Sequence, residues 1–273
     1  MGSTPDAIQI RALKTIAELK AVEELQVEVW GCSEREVLPS LALIPLLDIG
    51  GVLLGAFDKQ ELVGFVLGFP GFEAGDPILH SDMLAVRATY RSTGLGYRLK
   101  LEQRSAALAN GIERITWTFD PLQAANAHLN FGKLGVIADR YKINYYGETS
   151  SALHRTGTDR LWVTWLLHSD HVTQRLSVGA GEASGFAEVP ALIEVGPDGE
   201  AISTVLDGSQ KSLRIEIPPD INAMAITEAG RARRWREATR PQFTAAFAAD
   251  FVVTDFFKTT NSQPGFYLLT RTN

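Results

Sequence analysis

The chain has 273 residues, of which 45% are hydrophobic and 21% charged, a composition typical of folded globular proteins rather than of disordered ones. Its net charge of -6 argues against non-specific nucleic-acid binding, which requires a basic surface. The single cysteine, Cys32, excludes an internal disulfide and a cysteine-based zinc site. The N-terminus lacks a signal-peptide pattern, and the apolar runs are shorter than the roughly 20 residues that span a bilayer. A cytoplasmic chain without a membrane partner is therefore expected.

The N-terminal segment predicts a short strand followed by a capped helix. Residues 8–10 alternate as a strand does, and Thr15 with Glu18 forms a capping box. The helix that begins there should run toward Trp30. Residues 32–48 contain two prolines, so they predict a broken helical or loop connection.

The next segment predicts a hairpin, a third strand and a helix. Residues 52–57 and 62–69 are apolar runs joined by a polar turn. Residues 70–77, rich in glycine and proline, predict a loop that leads into a strand at 78–86. Apolar spacing then indicates a helix over 94–110 with a glycine at its end.

The following elements complete an α/β unit. Apolar and threonine residues alternate over 115–119, which is typical of a strand with two different faces. A helix over 122–134 should end at Gly135. Strands follow at 140–145 and 161–167. This order predicts a mixed sheet with a parallel crossover around the 94–110 helix.

Composition divides the chain into three segments. Residues 1–168 form the first domain, and residues 169–188, rich in Gly, Ser and Ala, predict a flexible linker. Residues 189–273 predict a smaller α+β domain, in which residues 235–269 show a helix followed by two strands. A role in lining an acceptor pocket, a dimerisation role and a purely structural role all remain open, as does a monomer or a homodimer.

Residues 84–97 carry the most informative pattern, because a strand ends, a glycine-containing loop turns and a helix begins at once. The first N–H groups of a helix have no intrahelical partner and face the positive end of its dipole, so they favour an anion. Glycines at 94 and 96 would let diphosphate oxygens approach the backbone. An ordinary glycine turn before a helix is the alternative. The candidate binding residues are Leu84, Ala85, Val86, Arg91, Ser92, Thr93, Gly94, Leu95, Gly96 and Tyr97.

The spacing Arg-x-x-Gly-x-Gly over 91–96 resembles the pyrophosphate loop of the GCN5-related N-acetyltransferase (GNAT) superfamily. Residues 131–136, Phe-Gly-Lys-Leu-Gly-Val, resemble a second family pattern, Tyr-x-Lys-Leu-Gly-Phe. The resemblance covers about residues 8–168. The helix–strand–strand order of residues 235–269 is similar to the last third of a GNAT unit, so a degenerate half-GNAT unit is one interpretation of residues 189–273. It implies a GNAT-like mixed, mostly antiparallel sheet flanked by helices, in the long bacterial form with a C-terminal extension. It also implies acetyl-CoA or another acyl-CoA, direct attack by an amine and no acyl-enzyme.

The resemblance further implies roles for the strand that precedes the loop. The pantetheine arm would pair with its edge, and a backbone N–H of Leu84 or Ala85 would polarise the thioester. His80 stands where some relatives place a general-base glutamate, and its usual pKa suits a base. Asp82, two residues later, is expected on the same face, where it would orient His80 or bind a cationic substrate. Both could equally be polar residues at a strand entrance.

Further residues are candidates for protonating the leaving thiolate or for binding the acceptor. Phe131 replaces the tyrosine that often protonates the leaving thiolate, so the thiolate leaves unaided or another tyrosine serves: Tyr141, Tyr145 or Tyr146. Three polar residues could face the acceptor: Asp120, Asn126 and Asn130. Asp120 with the following proline is also explained by a helix-start turn.

Two polar clusters are interpreted without a catalytic role. His168, Asp170 and His171 lie in a hydrophilic linker, and no metal is expected there. The arginines between Arg231 and Arg236 are expected on a solvated helix face, paired with glutamates. A carboxylate-binding surface is the alternative for these arginines.

The function that these patterns favour is an N-acyltransferase moving an acetyl or succinyl group to a small primary amine, of which an amino acid is one candidate. A non-catalytic acyl-CoA sensor is the alternative, motivated by Phe131. A structural or partner-binding protein without the coenzyme is a weaker third interpretation.

Overall fold

The computed structural model describes residues 8–147, 156–186, 188–205, 208–258 and 264–272. The strands, in chain order, are β1 (Gln9–Ala12), β2 (Val52–Asp58), β3 (Glu61–Glu73), β4 (Asp76–Val86), β5 (Arg114–Phe119), β6 (Ile137–Lys142), β7 (Arg160–Leu166), β8 (Ala191–Val195), β9 (Ala201–Ser203), β10 (Ser212–Ile217), β11 (Phe251–Phe257) and β12 (Gly265–Arg271). The helices are α1 (Ile16–Trp30), α2 (Ser40–Asp48), α3 (Leu95–Ala109), α4 (Ala124–Ala127), α5 (Asp170–Val178), α6 (Ile221–Thr227) and α7 (Ala229–Ala248).

The described residues form two compact units. One extends to Trp117, and the other begins at Thr118. The domain boundary expected at 169–188 stays a prediction. Part of that segment is helical rather than an open connection: Ser169 caps α5 by accepting the N–H of Val172, whose side chain is buried.

The first unit contains a sheet with strand order β1-β2-β3-β4-β5. Pairing is antiparallel except between β4 and β5, which are parallel and joined by α3 as the crossover. Apolar residues of α1 and α2 cover one face of the sheet, and Leu95 and Leu99 of α3 cover the other. The mixed, mostly antiparallel sheet flanked by helices that was predicted is confirmed.

The start of α1 forms as its sequence predicts. Thr15 accepts the backbone N–H of Glu18, and the Glu18 carboxylate accepts the N–H groups of Thr15 and Lys14. Gly31, in the left-handed conformation, ends the helix. The following segment is more regular than expected, because α2 forms despite Pro45 inside it.

The loop expected at residues 70–77 is wrong, since β3 and β4 continue through most of it as a long hairpin. Pro70 lies opposite Leu79, and Pro77 lies opposite Phe72. The pairing of β2 with β3 ends at Gly68, so the missing N–H of Pro70 removes no ladder hydrogen bond on that side. The chain reverses only at residues 74–75, both with positive φ.

A β-bulge interrupts β4 at Asp82. Met83 pairs with Leu67 and Ser81 pairs with Gly68, which leaves Asp82 as the extra residue. A bulge breaks the two-residue alternation of side chains. The expected common face of His80 and Asp82 depended on that alternation, so this geometric expectation is wrong.

The second unit contains strands in the order β7-β6-β11-β12-β10-β8-β9. Its pairs are antiparallel apart from β8 with β10. Tyr267 lies at the centre of an aromatic core, in edge contact with Phe131, Phe243 and Phe256. Its hydroxyl donates to the carbonyl of Pro121 at 2.6 Å, which satisfies the buried polar group.

The helix expected over 122–134 is present in a different form. A short α4 turn passes into a π-helical segment over His128–Leu134, which ends at Gly135 in the left-handed conformation. The glycine stop is therefore confirmed, and the hydrogen-bond pattern is not the α-helical one. Among the residues described, no helix combines the length and the hydropathy needed to span a bilayer.

Candidate active site

The turn between β4 and α3 presents unpaired backbone N–H groups to solvent. Residues 88–90 form one 3-10 turn, and α3 begins after Gly94 without any side-chain cap on its first N–H groups. Residues 91–94 are exposed. The first turn of a helix favours an anion at this position. The predicted strand–turn–helix arrangement is therefore confirmed.

Positive φ angles shape this turn. Ser92 has φ of 62° and Gly94 has φ of 86°. Left-handed backbone at a serine costs about 1 kcal/mol and is found where the surrounding structure or a ligand requires it. A Cβ on Gly94 would meet no atom within 4 Å, so only its φ demands glycine there.

Gly96 is glycine for a different reason, since its φ does not lie in the left-handed region. A Cβ there would meet only Leu84 Cδ2 at 3.8 Å, an ordinary contact. The protein itself therefore has room for a side chain at position 96. The missing side chain leaves the N-terminal face of α3 open, as the approach of a diphosphate to the backbone requires.

Side chains brace the turn from within. Thr93 donates its hydroxyl to the Tyr90 carbonyl at 2.8 Å, and Tyr90 donates to Asp58 at 2.7 Å. Arg91 is exposed, and its Nε donates to the Val86 carbonyl at 3.1 Å. This bond holds a guanidinium beside the end of β4, where it could pair with a phosphate.

Among the described residues, the pairing of β4 with β5 does not continue along β4 beyond the bulge. In the described residues the β4–β5 ladder consists of Leu79 with Ile115 and His80 with Thr116. Residues 82–86 continue past the last pair. An unpaired strand edge of this kind can accept an extended ligand by strand addition.

The ladder on the other side of β4 decides which N–H groups face that open edge. Arg87 donates its N–H to Val63 of β3 at 2.9 Å, and Ala85 is paired with Phe65 two residues earlier. Alternation along an antiparallel strand directs the N–H groups of Leu84 and Val86 the opposite way. Of the two donors expected from the sequence, the geometry therefore favours Leu84 over Ala85.

Several of the expected coenzyme contacts can be made only by backbone. The Leu95 side chain is buried in the core together with Leu84 and Val86, and Ala85 is also buried. Tyr97 is half-buried. Contacts of these residues with a coenzyme stay predictions.

His80 lies at the last pair of the β4–β5 ladder. Its Nδ1 is 3.0 Å from the hydroxyl of Thr116, and its ring packs on Phe69. Burial, together with the nearby Lys100, lowers the pKa of His80 below its usual value. The imidazole is therefore neutral at neutral pH, which is the form that accepts a proton.

Asp82 occupies the bulge and is exposed. Neighbouring protein atoms still raise the pKa of its carboxyl. No hydrogen bond between Asp82 and His80 is among the contacts of the described residues. Its expected role in orienting His80 therefore has no support in this geometry, and a role toward the substrate stays a prediction.

Asp120, in the second unit, is engaged by the chain itself. One carboxylate oxygen accepts the N–H of Leu122 at 2.9 Å and Arg236 Nη2 at 2.6 Å, and the other accepts the Thr156 hydroxyl. These bonds support the helix-start turn that the sequence also allowed. Contact of Asp120 with an acceptor stays a prediction.

The remaining predicted acceptor residues differ in exposure. Asn126 is exposed on α4, whereas Asn130 is buried in the π-helical segment. Phe131 is fully buried between Phe119 and Tyr267. Phe131 therefore offers neither a hydroxyl nor a solvent-exposed atom.

The tyrosines considered as alternative acids are also in the second unit. Tyr141 donates its hydroxyl to Asp159 at 2.9 Å, and burial raises its pKa above the usual value. Tyr145 and Tyr146 pack edge-on and are 42% and 50% exposed, and the Tyr146 hydroxyl lies 3.3 Å from the Thr118 hydroxyl. A role of any of the three tyrosines as the proton donor stays a prediction.

The arginine cluster on α7 is only partly the solvated face that was expected. Arg231 and Arg234 pair with Glu200, and Arg231 also pairs with Glu228. Arg236 is buried against Asp120 instead. The one signal in the sequence was the position of Arg236 directly after Trp235, a large apolar residue that the structure buries.

Two polar groups near the β4–β5 junction were not anticipated from the sequence. Lys100 and Gln103, one turn apart on α3, are both buried. Their spacing placed them on the face of α3 that carries Gly96, which was the one available signal. No set of three or more His, Cys, Asp or Glu side chains arranged to hold a metal occurs within the described ranges.

Residues 19–135 match the family model of the acetyltransferase (GNAT) family. The match contains the open turn, β4 and the π-helical segment, whereas residues 136–273 lie beyond it. A search of the curated proteins finds no significant match.

Several solved structures are similar in fold over part of the chain. The ribosomal-protein-S18-alanine N-acetyltransferase from Escherichia coli is 15% identical, with a TM-score of 0.47, and the match covers 59% of this chain and 95% of that one. An aminoglycoside 6′-acetyltransferase type Ii is 18% identical, with a TM-score of 0.47 and coverage of 59% and 98%. A GNAT family acetyltransferase from Elizabethkingia anophelis, solved with acetyl-CoA bound, is 18% identical, with a TM-score of 0.43 and coverage of 59% and 99%.

Identities and TM-scores this low decide neither a substrate nor a site residue. The family match rests on the sequence itself and includes the motif whose geometry was described above. Residues 19–135 thus match the GNAT acetyltransferase family, and this match supports an acyl-CoA-dependent N-acyltransferase.

Proposed function

We propose that the protein transfers an acetyl or succinyl group from acyl-CoA to a small primary amine, of which an amino acid is one candidate. The observation that supports this most is the exposed turn at 91–96. It opens a helix whose first N–H groups have no side-chain cap, beside the part of β4 that continues past its last described pair with β5. Diphosphate and pantetheine require these two features together.

The residues present fit the coenzyme. The backbone N–H groups at the start of α3 and the Arg91 guanidinium would hold the diphosphate. The outward N–H groups of Leu84 and Val86 would bind the pantetheine arm, and that of Leu84 would polarise the thioester carbonyl. When bound, acyl-CoA supplies an activated acyl carbon with a thiolate as leaving group.

His80 is the proposed general base. A primary amine is protonated near neutral pH and must lose a proton before its nitrogen can bond to the acyl carbon. The neutral imidazole of His80 can accept that proton, and its lowered pKa keeps it neutral. The amine gains the acyl group, the carbon–sulfur bond breaks and one proton is released overall.

Family members often carry a tyrosine that protonates the departing sulfur, and Phe131 stands at that position here. A thiolate is a good leaving group, so unaided departure followed by protonation from water is sufficient. Tyr145 and Tyr146, whose side chains are partly exposed, remain the candidates for a side-chain donor. Tyr141 is a poor candidate because its hydroxyl is committed to Asp159.

A pair of glycine variants tests the coenzyme site. Gly96→Ala should fold as well as the wild type, since a Cβ there makes only an ordinary contact at 3.8 Å. Gly96→Val places a larger side chain over the N–H groups and should raise the Kd of acetyl-CoA by about a hundredfold, or 2.7 kcal/mol. Isothermal titration of both variants, with thermal melting as the stability control, measures the effect.

The control is Gly71→Ala, on β3, where a Cβ would contact only Ile78 at 3.9 Å. It should leave coenzyme affinity unchanged. Normal acetyl-CoA affinity in Gly96→Val would contradict the site. Binding without turnover over a broad panel of amines would instead favour a non-catalytic acyl-CoA sensor, which the substitution of tyrosine by Phe131 motivates.

A further inference from the structure

Lys100 of α3 is buried to 3% exposure, which is rare for lysine. Its Nζ donates to Ser81 Oγ at 2.9 Å and to Gln103 Oε1 at 2.8 Å. The same nitrogen lies 3.7 Å from the ring centroid of Trp117. Burial lowers the pKa of Lys100 well below its usual value. Burying a lysine costs free energy, so its position demands a compensating role.

The contacts of Lys100 coincide with the point where β4 and β5 separate. The ladder between the two strands ends at the pair of His80 and Thr116. The next residue on β4 is Ser81, and the next on β5 is Trp117. Lys100 Nζ contacts both of them, and the bulge at Asp82 follows immediately. One amino group therefore connects the two strands at the start of the open edge.

The same helix carries the diphosphate turn. Gly96 and Lys100 are four residues apart, so they lie on the same side of α3, one turn from each other. The N–H groups proposed to hold the diphosphate are at the start of α3. The edge proposed to bind the pantetheine arm starts beyond Ser81. Lys100 is thus placed to set the distance between these two parts of one ligand site.

We propose that Lys100 is a positioning residue. By contacting both β4 and β5, its amino group fixes the separation of the two strands where their pairing ends, so that the edge at Leu84–Val86 stays accessible to the pantetheine arm. This inference rests on the proposed acyl-CoA function. A hydrogen bond to Ser81 and attraction to the face of Trp117 are directional and act on one strand each. An apolar side chain of the same length would fill the space but would hold neither strand.

The test compares two probes on the full-length protein. One is coenzyme A, and the other is 3′-phosphoadenosine 5′-diphosphate, which has the diphosphate but no pantetheine arm. Lys100→Met removes the amino group while keeping a side chain of similar length. Loss of the amine removes its burial cost but leaves the Ser81 hydroxyl and the Gln103 carbonyl oxygen without this donor, so thermal melting of the variant is measured alongside as the stability control. Its Kd for coenzyme A should rise about tenfold, while its Kd for the fragment stays within about twofold.

Gln103→Met is the matched control on the same helix face. It removes a hydrogen-bond partner of Lys100 but leaves the contacts with Ser81 and Trp117 in place. Its affinity for both probes should equal that of the wild type. Equal losses for coenzyme A and the fragment in Lys100→Met would mean a general structural role and would overturn the inference, as would no loss at all.

A second variant covers the case in which Lys100→Met does not fold. Ser81→Ala removes only the hydroxyl that joins Lys100 to β4. It should weaken coenzyme A binding selectively in the same way, and unchanged affinity would overturn the inference. Wild-type protein that binds neither probe would instead contradict the proposed function itself. The two failures are therefore distinguishable.

Discussion

At the scale of single residues, the effect of burial on chemistry is clearest at His80, whose pKa is lowered. The side chain is half-buried at the end of a strand ladder, beside Thr116 and Phe69. An exposed histidine would have a pKa near 6.5 and be partly charged at neutral pH. Burial and the nearby Lys100 shift the equilibrium toward the neutral form. The same shift makes His80 a weaker base that is fully available at neutral pH.

His80→Gln should lower kcat/KM by about a hundredfold, since general-base catalysis contributes typically 10²–10⁴-fold. In the wild type, kcat/KM should rise with pH through a pKa below 6.5, because protonation of His80 removes the base and the folded-state pKa is lowered. This acid limb should disappear in the variant. A pH–rate profile with an unchanged acid limb in His80→Gln would remove His80 as the base.

At the scale of elements, the beginning of α1 depends on a charged cap. Hydrogen bonds from the N–H groups of Lys14 and Thr15 lower the pKa of Glu18 to about 2. A carboxylate whose pKa is lower in the folded state stabilises the protein above its unfolded-state pKa. That stabilisation is lost as the pH falls through the folded-state value.

The stability difference between wild type and Glu18→Gln should therefore be constant above about pH 5 and shrink as the pH falls from about 4.5 toward 2. Thr15→Ala removes the other half of the box and should cost about 1 kcal/mol. Urea unfolding across this pH range measures both effects. A difference that stays constant down to pH 2 would show that the Glu18 carboxylate does not cap the helix as described.

A buried ion pair connects α7 to the segment after β5 within the second unit. Arg236 and Asp120 are 2.6 Å apart, and their side chains are 4% and 10% exposed. Asp120→Asn leaves the arginine charge buried without its partner and should cost about 3–5 kcal/mol. Arg234→Gln on the same helix, where the arginine side chain is 59% exposed, should change stability by less than about 1 kcal/mol. Comparable losses in the two variants would contradict this distinction.

At the scale of the whole molecule, ligand binding links the candidate site to stability. A ligand that binds only the folded state at 100 times its Kd stabilises that state by about 2.7 kcal/mol. Acetyl-CoA at this excess should raise Tm by roughly 5 °C or more. Thermal melting of the wild type and of Gly96→Val, in which the shift at the same acetyl-CoA concentration should fall to about 1 °C, checks the expectation. A wild-type Tm that no coenzyme A thioester moves would favour a protein that has lost the coenzyme.

Most elements could be read from local patterns because their signals are local. The Thr15–Glu18 box, the hairpin before residue 70, Gly135 and the turn at 91–96 each depend on residues close in sequence. The errors arose where distant pairing overrides local preference. Residues 70–77 look like a loop by composition, yet they extend a hairpin. The pairing of β3 with β2 ends at Gly68, so Pro70 has no hydrogen bond to lose on that side.

The sequence by itself determined the kind of site, since a strand, a glycine turn and an uncapped helix start are encoded within fourteen residues, 84–97. Tertiary structure alone decided how the site is shaped. The bulge at Asp82, the donor direction of Leu84 and the burial of Lys100 depend on strands and helices far apart in the chain. The physical reason is that a backbone turn follows from local φ and ψ preferences, whereas register, burial and charge pairing exist only once distant segments pack.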